Sequence, residues 1–342
     1  MRLAGITLLL GFLLSFSVKS NSAEIKEVLP LTNKIIMVHM DDGSVTYPNT
    51  IKVSRLNTGN ADNISSWSLQ STDDADFQVA GSPSKLGRKT KGTEFVKDAP
   101  WGGNSFDPRT KPWASEHWIY LVFDKEMKSG KSYSLKTGTL ATNGSEWNFV
   151  FEEKNLRSEA VHVNTLGYAS NAPKYGYIYQ WMGSLGNLDL SSYAGKKFRV
   201  YKEGTDLPVK EGTIQKRKSA TNAETGQTND TPNKNFLGAE VLDCDFSDIT
   251  ANGNYKLVVD GIGSSYPFKI GTDAVWDAYY NVARALYYQR SGIRLAPPYS
   301  AAGYIRPVNQ NTKVTSDDGT SFAGKLLYSD YSFMDWAEAD GG

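Results

Sequence analysis

Three acidic residues near the C-terminus are close enough in sequence to share one turn: Asp335, Glu338 and Asp340. Paired carboxylates can carry out acid and base catalysis, with one group donating a proton and the other accepting it. An acidic tail is, however, typical of a solvated segment. The sequence therefore favours a surface role for these residues, and it predicts no catalytic residue in the chain.

The other reactive side chains are few. The only histidines are His39, His117 and His162, and Cys244 is the only cysteine. Hydrolysis by Ser, His and Asp needs a serine on a strained elbow such as Gly-x-Ser-x-Gly, which this chain lacks. We therefore expect the histidines to occupy hydrogen-bonded strand or loop positions and Cys244 to be a small buried side chain.

Two Asp-Asp-Gly segments, at 41–43 and 317–319, have the composition of a calcium loop without its spaced oxygen ligands, and they indicate turns. With a single cysteine, the chain can form neither an internal disulfide nor a cysteine-rich metal site. The sequence predicts no metal site and no cofactor.

Tryptophan offers a different kind of chemistry, because a flat aromatic ring can cover the apolar C–H face of a sugar. Trp118 and Trp147 lie within predicted strands, where core packing is the favoured interpretation. Trp101 and Trp113 lie in segments rich in Gly and Pro, which we interpret as loops. They are the candidate residues for a glycan platform.

The composition limits the partners. Lys and Arg together number 37, as do Asp and Glu, and no basic block is present. This balance gives no electrostatic reason to propose nucleic acid as a partner.

The first 23 residues resemble a targeting segment. Arg2 precedes a short apolar run at 5–16, and small residues follow as far as Ala23. This order indicates a secretory signal peptide at 1–23, with the mature chain beginning near Glu24. The run is too short to span a bilayer, so we expect a secreted or periplasmic protein that is not held in a membrane after cleavage.

Residues 24–156 read as an N-terminal β module. The strand candidates are 34–40, 118–123, 132–136 and 147–151. The apolar run 118–123 predicts a strand buried on both faces, and Asn143-Gly144 predicts a type I′ hairpin. The segment 81–109 is rich in Lys, Gly and Pro and is predicted to form long loops.

Residues 157–271 show a second β pattern. The strand candidates are 160–163, 175–181, 197–201, 239–242, 255–259 and 266–270. About seven short strands in ~110 residues are typical of an immunoglobulin-like (Ig-like) sandwich.

Helical spacing appears only after this. Thr272-Asp273 predicts the N-terminus of an amphipathic helix of about 18 residues that ends at 289–292. A lone amphipathic helix must bury its apolar stripe against a neighbour. Two interpretations stay open: the helix docks on the sandwich, or it begins a domain whose remainder is missing.

Two stretches carry a family resemblance. Ser-Glu-Ala-Val-His-Val-Asn-Thr-Leu-Gly-Tyr at 158–168 resembles the opening strand of the Ig-like domain of family 9 glycoside hydrolases, which are cellulase-type enzymes. The stretch 268–293, with Tyr-Tyr-Gln-Arg-Ser-Gly near its end, is similar to the family's linker and first catalytic helix, and 333–342 to the lead-in to its first catalytic motif. The resemblance covers about residues 157–342, with a weaker likeness at 24–156.

The resemblance implies an α/α barrel of six helix pairs, beginning at 272–342, with the Ig-like domain packed on it in cis. It implies inverting hydrolysis of a β-glucan by two carboxylates roughly 6.5–9.5 Å apart, one in an Asp-Ala-Gly-Asp motif and the other a glutamate near the far C-terminus. This chain has neither, so we expect the front part of an enzyme, inactive by itself. Ser291 stands where many members have Cys, which argues against zinc there.

The expected architecture is mainly β: a β-sandwich-like module, an Ig-like sandwich and the first helix of a truncated α/α barrel. The alternative function is that of an exported, non-catalytic carbohydrate-binding or scaffold protein.

Overall fold

The computed structural model describes residues 23–46, 50–95, 113–223, 235–236, 238–289, 294–305, 313–315 and 321–323. They group into two compact units. The first comprises the residues up to Val163, Pro173–Ile249 and Asn254–Pro267, and the second comprises Asn164–Ala172, Thr250–Gly253 and the residues from Phe268 onward. Among the described residues, strands dominate and a single helix has seven or more residues. The prediction of a mainly β fold is confirmed.

In its described residues, the N-terminal β module contains nine strands and one short α-helix. They are β1 (Glu24–Thr32), β2 (Ile35–Asp41), β3 (Gly43–Thr46), β4 (Thr50–Val53), α1 (Thr58–Ala61), β5 (Ser68–Gln70), β6 (Lys85–Phe95), β7 (Trp113–Val122), β8 (Lys131–Lys136) and β9 (Glu146–Phe151). One antiparallel sheet has the order β1-β2-β7-β6, a second has the order β5-β8-β9, and β3 pairs with β4.

The core of this module lies on one face of the sheet β1-β2-β7-β6. Alternate residues of β2 and β7 belong to it, including Val38, Ile119 and Leu121, which are fully buried. Trp67 is also fully buried, and its indole N–H donates to the Ala61 carbonyl oxygen at 2.9 Å. Burying side chains of this size contributes about 1.5–3 kcal/mol each.

Strand β7 is buried on its other face as well. Tyr120 is fully buried outside the core cluster, and its hydroxyl accepts a hydrogen bond from Gln180 Nε2 at 3.2 Å. The prediction of a two-faced buried strand is confirmed, although the strand begins at Trp113 rather than Trp118.

The prediction of long loops at 81–109 is wrong where the structure describes that segment. Lys85–Phe95 forms the edge strand β6 and pairs with β7 over its whole length. The lysines of this segment favoured a loop, because charged side chains are depleted in central strands. They are common on edge strands, where they prevent further strand pairing.

The hairpin predicted around Asn143-Gly144 forms, because β8 pairs with β9 in antiparallel register, but the predicted type I′ turn of two residues is wrong. Strand β8 ends at Lys136 and β9 begins at Glu146, so the connection is longer than two residues. The Asn143 side chain instead pairs with the Ile25 backbone, accepting from its N–H at 3.0 Å and donating to its carbonyl oxygen at 2.8 Å. The amide thus ties this loop to β1.

The segment after the N-terminal module forms two further antiparallel sheets. Its strands are β10 (Val161–His162), β11 (Tyr175–Ile178), β12 (Lys197–Lys202), β13 (Lys210–Thr213), β14 (Gln215–Lys218), β15 (Val241–Asp245), β16 (Gly253–Val259) and β17 (Gly263–Ser264). The orders are β10-β11-β15-β14 and β13-β12-β16-β17. Strands β13 and β14 were not predicted from the sequence, because their side chains are mostly charged or small.

The two sheets pack face to face as a sandwich. Ile178 of β11, Val200 of β12 and Leu257 of β16 are fully buried between them. A methyl group placed on Gly176 of β11 would lie 2.3 Å from Leu257 Cδ2, so the backbone of one sheet touches side chains of the other. The prediction of an Ig-like sandwich after the N-terminal module is confirmed as a fold.

The second unit contains β18 (Phe268–Ile270), α2 (Trp276–Tyr288), β19 (Lys313–Thr315) and β20 (Ser321–Ala323). Tyr168 lies beside β18, with its N–H donating to the Lys269 carbonyl oxygen at 2.8 Å. Helix α2 begins later than predicted: Val275 precedes it without a side-chain cap, whereas Asp273 binds the Lys269 ammonium at 2.9 Å. No residue of α2 is buried. The helix ends at Tyr288 with Gln289 as its C-cap, at the first residue of the predicted stop, 289–292; residues 290–292 lie outside the described residues.

Candidate functional site

Of the two residues predicted to form a glycan platform, Trp101 and Trp113, the structure describes only Trp113. Trp113 is the first residue of β7, so its placement in a loop is wrong. Its ring is half-buried, and the Arg55 guanidinium carbon lies 4.0 Å from the ring centroid. Arg55 Nη2 also donates to the Trp113 carbonyl oxygen at 3.0 Å. A sugar would have to share this ring with Arg55.

Trp118 is held between side chains of the two neighbouring strands. The His39 ring stacks on it with the centroids 4.7 Å apart, and the Lys89 ammonium lies 4.9 Å from its centroid. Glu116 fixes His39 through a 2.8 Å contact between a carboxylate oxygen and Nε2. Because β2 and β6 flank β7 on opposite sides, this indole has a partner on each side.

His117 lies in a buried hydrogen-bond chain. Its Nε2 is 3.2 Å from Asp42 Oδ1, and its Nδ1 is 3.0 Å from Thr90 Oγ1. The same Asp42 oxygen accepts from the Leu56 N–H at 2.8 Å. Burial by itself would raise the pKa of Asp42, but the hydrogen bonds from His117 and Leu56 hold it below its usual value.

This chain of groups was not foreseen from the sequence. Asp42, Thr90 and His117 come from three separate segments, and only the pairing of β7 with β2 and β6 brings them together. The Asp-His-hydroxyl order resembles that of a hydrolytic triad. Thr90 Oγ1, however, also accepts a hydrogen bond from Arg88 Nη1 at 2.5 Å. The arrangement therefore serves as a structural network.

The remaining two reactive residues lie in the sandwich. His162 Nε2 is 3.0 Å from the Tyr179 carbonyl oxygen, and burial lowers the pKa of this histidine. Cys244 is fully buried, and burial raises the pKa of its thiol. A thiol that stays protonated is a poor nucleophile and a poor metal ligand.

A cavity of about 520 Å³ lies between the N-terminal module and the sandwich, within the first unit. Its charged lining residues are Lys34, Lys85, Glu126, Asp189, Lys196 and Asp260. Tyr193 also lines it, and burial, together with the charges of Glu126 and Asp189, raises the pKa of this tyrosine to about 12. The cavity is polar and contains both signs of charge.

A second cavity, of about 400 Å³, lies over the outer face of the sheet β13-β12-β16-β17. Tyr201 lines it, and the Lys154 ammonium lies 4.8 Å from the centroid of that ring. Lys154 also donates to the Thr205 carbonyl oxygen at 3.3 Å. Its cation is therefore already engaged.

A metal-binding cluster and a membrane-spanning helix are both absent from the parts of the chain that the structure describes. There, no group of three or more His, Cys, Asp or Glu side chains is arranged to hold a metal ion. Over the same residues, none of the helices combines the length and the apolar character needed to cross a bilayer. The carboxylates Asp335, Glu338 and Asp340 lie outside the described residues, as does the Asp-Asp-Gly segment at 317–319.

Three comparisons with known proteins bear on this arrangement. A family model described as the cellulase N-terminal Ig-like domain matches residues 157–264. No curated protein matches the chain.

Several solved structures resemble part of it. A family 9 glycoside hydrolase from Bacteroides ovatus is 22% identical with a TM-score of 0.33, covering 48% of this chain and 27% of its own. A metagenome-derived family 9 endoglucanase is 22% identical with a TM-score of 0.35, covering 48% and 28%. A thermostable endoglucanase from Alicyclobacillus acidocaldarius is 16% identical with a TM-score of 0.32, covering 48% and 25%.

This chain thus spans about a quarter of the length of these solved proteins. The matched segment, 157–264, contains β10 to β17, which make up the two facing sheets. Residues 157–264 therefore form an Ig-like sandwich that is similar to the cellulase N-terminal Ig-like domain.

Proposed function

We propose that this chain is the N-terminal part of a secreted, cellulase-type glycoside hydrolase that acts on a β-glucan. The observation that carries the proposal is the match of residues 157–264 to the cellulase N-terminal Ig-like domain. Residues 1–23 would direct export as a signal peptide. The N-terminal β module, 24–156, and the Ig-like domain, 157–271, would precede the catalytic domain.

In this proposal α2 is the first helix of an α/α barrel, and the Ig-like domain packs on that barrel in cis. The exposure of the helix supports this. Tyr279, Val282 and Leu286 are all more than 60% exposed, and apolar residues at helical spacing need a partner to cover them. A barrel of helix pairs provides such partners.

The proposed reaction is inverting hydrolysis, in which one carboxylic acid protonates the leaving oxygen and one carboxylate activates water on the opposite face of the sugar. Neither role is assigned to a residue of this chain. The proposed contribution of the two β modules is to support the catalytic domain and to hold the glucan near it.

The test compares two proteins. We expect the 342-residue chain to release no reducing ends from a β-1,4-glucan, and we expect the product of the complete open reading frame to release them. Hydrolysis by the chain alone would contradict the assignment of the carboxylates to another part of the protein. A complete product without activity on any β-glucan would contradict the hydrolase proposal itself.

A further inference from the structure

Strand β11 and the residues after it carry an aromatic side chain at every second position. The four are Tyr175, Tyr177, Tyr179 and Trp181. The residues between them, such as Ile178 and Gln180, are buried. Since neighbouring side chains of an extended chain point to opposite faces, the four aromatic residues share the outer face of the sheet β10-β11-β15-β14. We call them the aromatic row.

The aromatic row is partly open to solvent. Its tyrosines are half-buried, and Trp181 is 45% exposed. At a rise of about 3.3 Å per residue, the six steps from Tyr175 to Trp181 span ~20 Å. This length accommodates several sugar units of an extended chain.

Polar side chains of neighbouring strands hold the rings in place. The Arg217 guanidinium lies 5.2 Å from the Tyr177 centroid, and its Nη1 is 3.6 Å from Asp243 Oδ2. The His162 ring stacks on Tyr179 with the centroids 4.0 Å apart. These groups keep the rings aligned and place hydrogen-bonding atoms beside them.

Trp181 is also supported at one edge by a loop. A methyl group on Gly238 would lie 3.2 Å from the Trp181 ring, so the glycine lets the loop backbone approach it closely. The loop is fixed by Asn235, whose side chain accepts from the Gly238 N–H and donates to the Ser219 carbonyl oxygen, both at 3.0 Å. The exposed part of the indole is therefore held in a defined position before any ligand arrives.

The charges of this face are largely paired. On the face of the aromatic row, Arg217 pairs with Asp243 as described. A face with paired charges suits a neutral ligand better than a polyanion or a polycation, because it offers hydrogen bonds without a net field. Flat apolar rings beside hydrogen-bonding groups match the two surfaces of a sugar ring.

We propose that the aromatic row is a binding site for a neutral β-glucan chain. A sugar ring stacks on the exposed part of Trp181, neighbouring sugar units lie along the tyrosines, and sugar hydroxyls bond to Arg217 and Asp243. The choice of a β-glucan rests on the proposed function. The site itself lies wholly within the first unit, so the 342-residue chain should bind the glucan without hydrolysing it.

The experiment measures the binding of cellohexaose to the 342-residue chain by calorimetry. We expect Trp181→Ala to weaken binding roughly tenfold, because tryptophan is the largest and most exposed ring of the row and large aromatic side chains dominate binding energies, and we expect Trp181→Phe to retain part of the affinity. The matched control is Trp276→Ala on α2, where the side chain is 58% exposed and lies outside the row. We expect the control to bind like the wild type.

Four results would overturn the proposal. The first three are unchanged binding by Trp181→Ala, loss of binding by Trp113→Ala instead, and equally tight binding of polygalacturonate, a polyanion. Absence of cellohexaose binding would also overturn it and would favour a protein surface as the occupant of the row. Hydrolysis by the complete gene product is scored separately, so failure of this site and failure of the hydrolase proposal can be told apart. Equal thermal midpoints of the variants show that each is folded.

Discussion

Asp42 keeps a negative charge inside the N-terminal β module because two donors reach the same carboxylate oxygen, the Leu56 N–H and His117 Nε2. A carboxyl group with a pKa lower in the folded than in the unfolded protein adds stability above its unfolded pKa. That stability is lost as the pH falls through the folded pKa. Asp74 behaves in the same way: burial by itself would raise its pKa, but bonds from Tyr133 and Lys128 lower it.

We therefore expect the free energy of unfolding of the wild type to fall below about pH 4, where aspartate side chains become protonated. Asp42→Asn keeps an oxygen acceptor but removes the charge. We expect it to be less stable at pH 7 and to lose less stability between pH 7 and pH 3 than the wild type. Urea unfolding at both pH values measures this. The control is Asp206→Asn, whose side chain is exposed. A D42N curve parallel to that of the wild type would refute the charge argument.

Ala23 gives a second residue-scale prediction. It is fully buried in the core of the N-terminal module, and its carbonyl oxygen accepts from the Thr142 N–H at 3.1 Å. Cleavage after Ala23 would remove both interactions, whereas cleavage after Ser22 would keep them and still follow a small residue. We expect N-terminal sequencing of the exported protein to begin at Ala23, one residue earlier than the boundary at Glu24 that the sequence pattern alone predicts. A sequence beginning at Glu24 would show that these contacts are dispensable.

Single residues also show where sequence reasoning stops. The Asp-Asp-Gly turn was predicted, and Asp41 Oδ1 does accept from the Gly43 N–H at 2.8 Å. The partner of Asp42, however, is His117, 75 positions away. That contact depends on the register between β2 and β7, and a pattern confined to one strand carries no information about register.

At the scale of elements, a short 3-10 helix of the sandwich, Gly183–Leu185, packs against β6 of the N-terminal module. Gly183 has φ +62°, and a methyl group on it would lie 2.2 Å from the Arg88 carbonyl oxygen. Gly87 of β6 would collide with Leu185 in the same way, at 2.5 Å. The two backbones therefore approach each other at positions where only glycine fits.

Gly183→Ala should consequently destabilise the protein by more than the ~1 kcal/mol that positive φ alone costs an alanine. The matched control is Gly138→Ala, with φ +56° and no atom within 4 Å of the added methyl group. We expect the thermal midpoint to fall several degrees further for G183A than for G138A. Equal midpoints would mean that the modules separate at little cost.

The elements divide into those that a local pattern predicts and those that it does not. The apolar strands β2, β7, β8 and β9 and the main strands of the sandwich were found from alternation and β-branched residues. Strands β6, β13 and β14 are among those that the pattern did not predict, because their side chains are mostly charged and partner strands rather than their own composition hold them in the sheet. The N-terminus of α2 was placed too early because Asp273 binds Lys269 instead of capping the helix.

At the scale of the whole molecule, stability should be distributed unevenly. The N-terminal module and the sandwich belong to one compact unit and share several buried contacts. Ser158 Oγ donates to the Leu31 carbonyl oxygen at 2.7 Å, and the Asn33 N–H donates to the Gly261 carbonyl oxygen at 2.8 Å. Helix α2, in the other unit, has no buried residue. Cooperative units of a protein open together only where such shared burial links them.

Native-state hydrogen exchange measures this distribution. We expect the amides of β7 and β16 to exchange with opening free energies within about 1 kcal/mol of each other, because opening one module exposes the buried face of the other. Amides of α2 should exchange far faster, since nothing buried opposes fraying of that helix. In Gly183→Ala the protection of β7 and β16 should fall together. Loss of protection in β16 alone would mean that the two modules are independent folding units. The close contact between Gly183 and Arg88 would then be local and would not contribute to cooperativity.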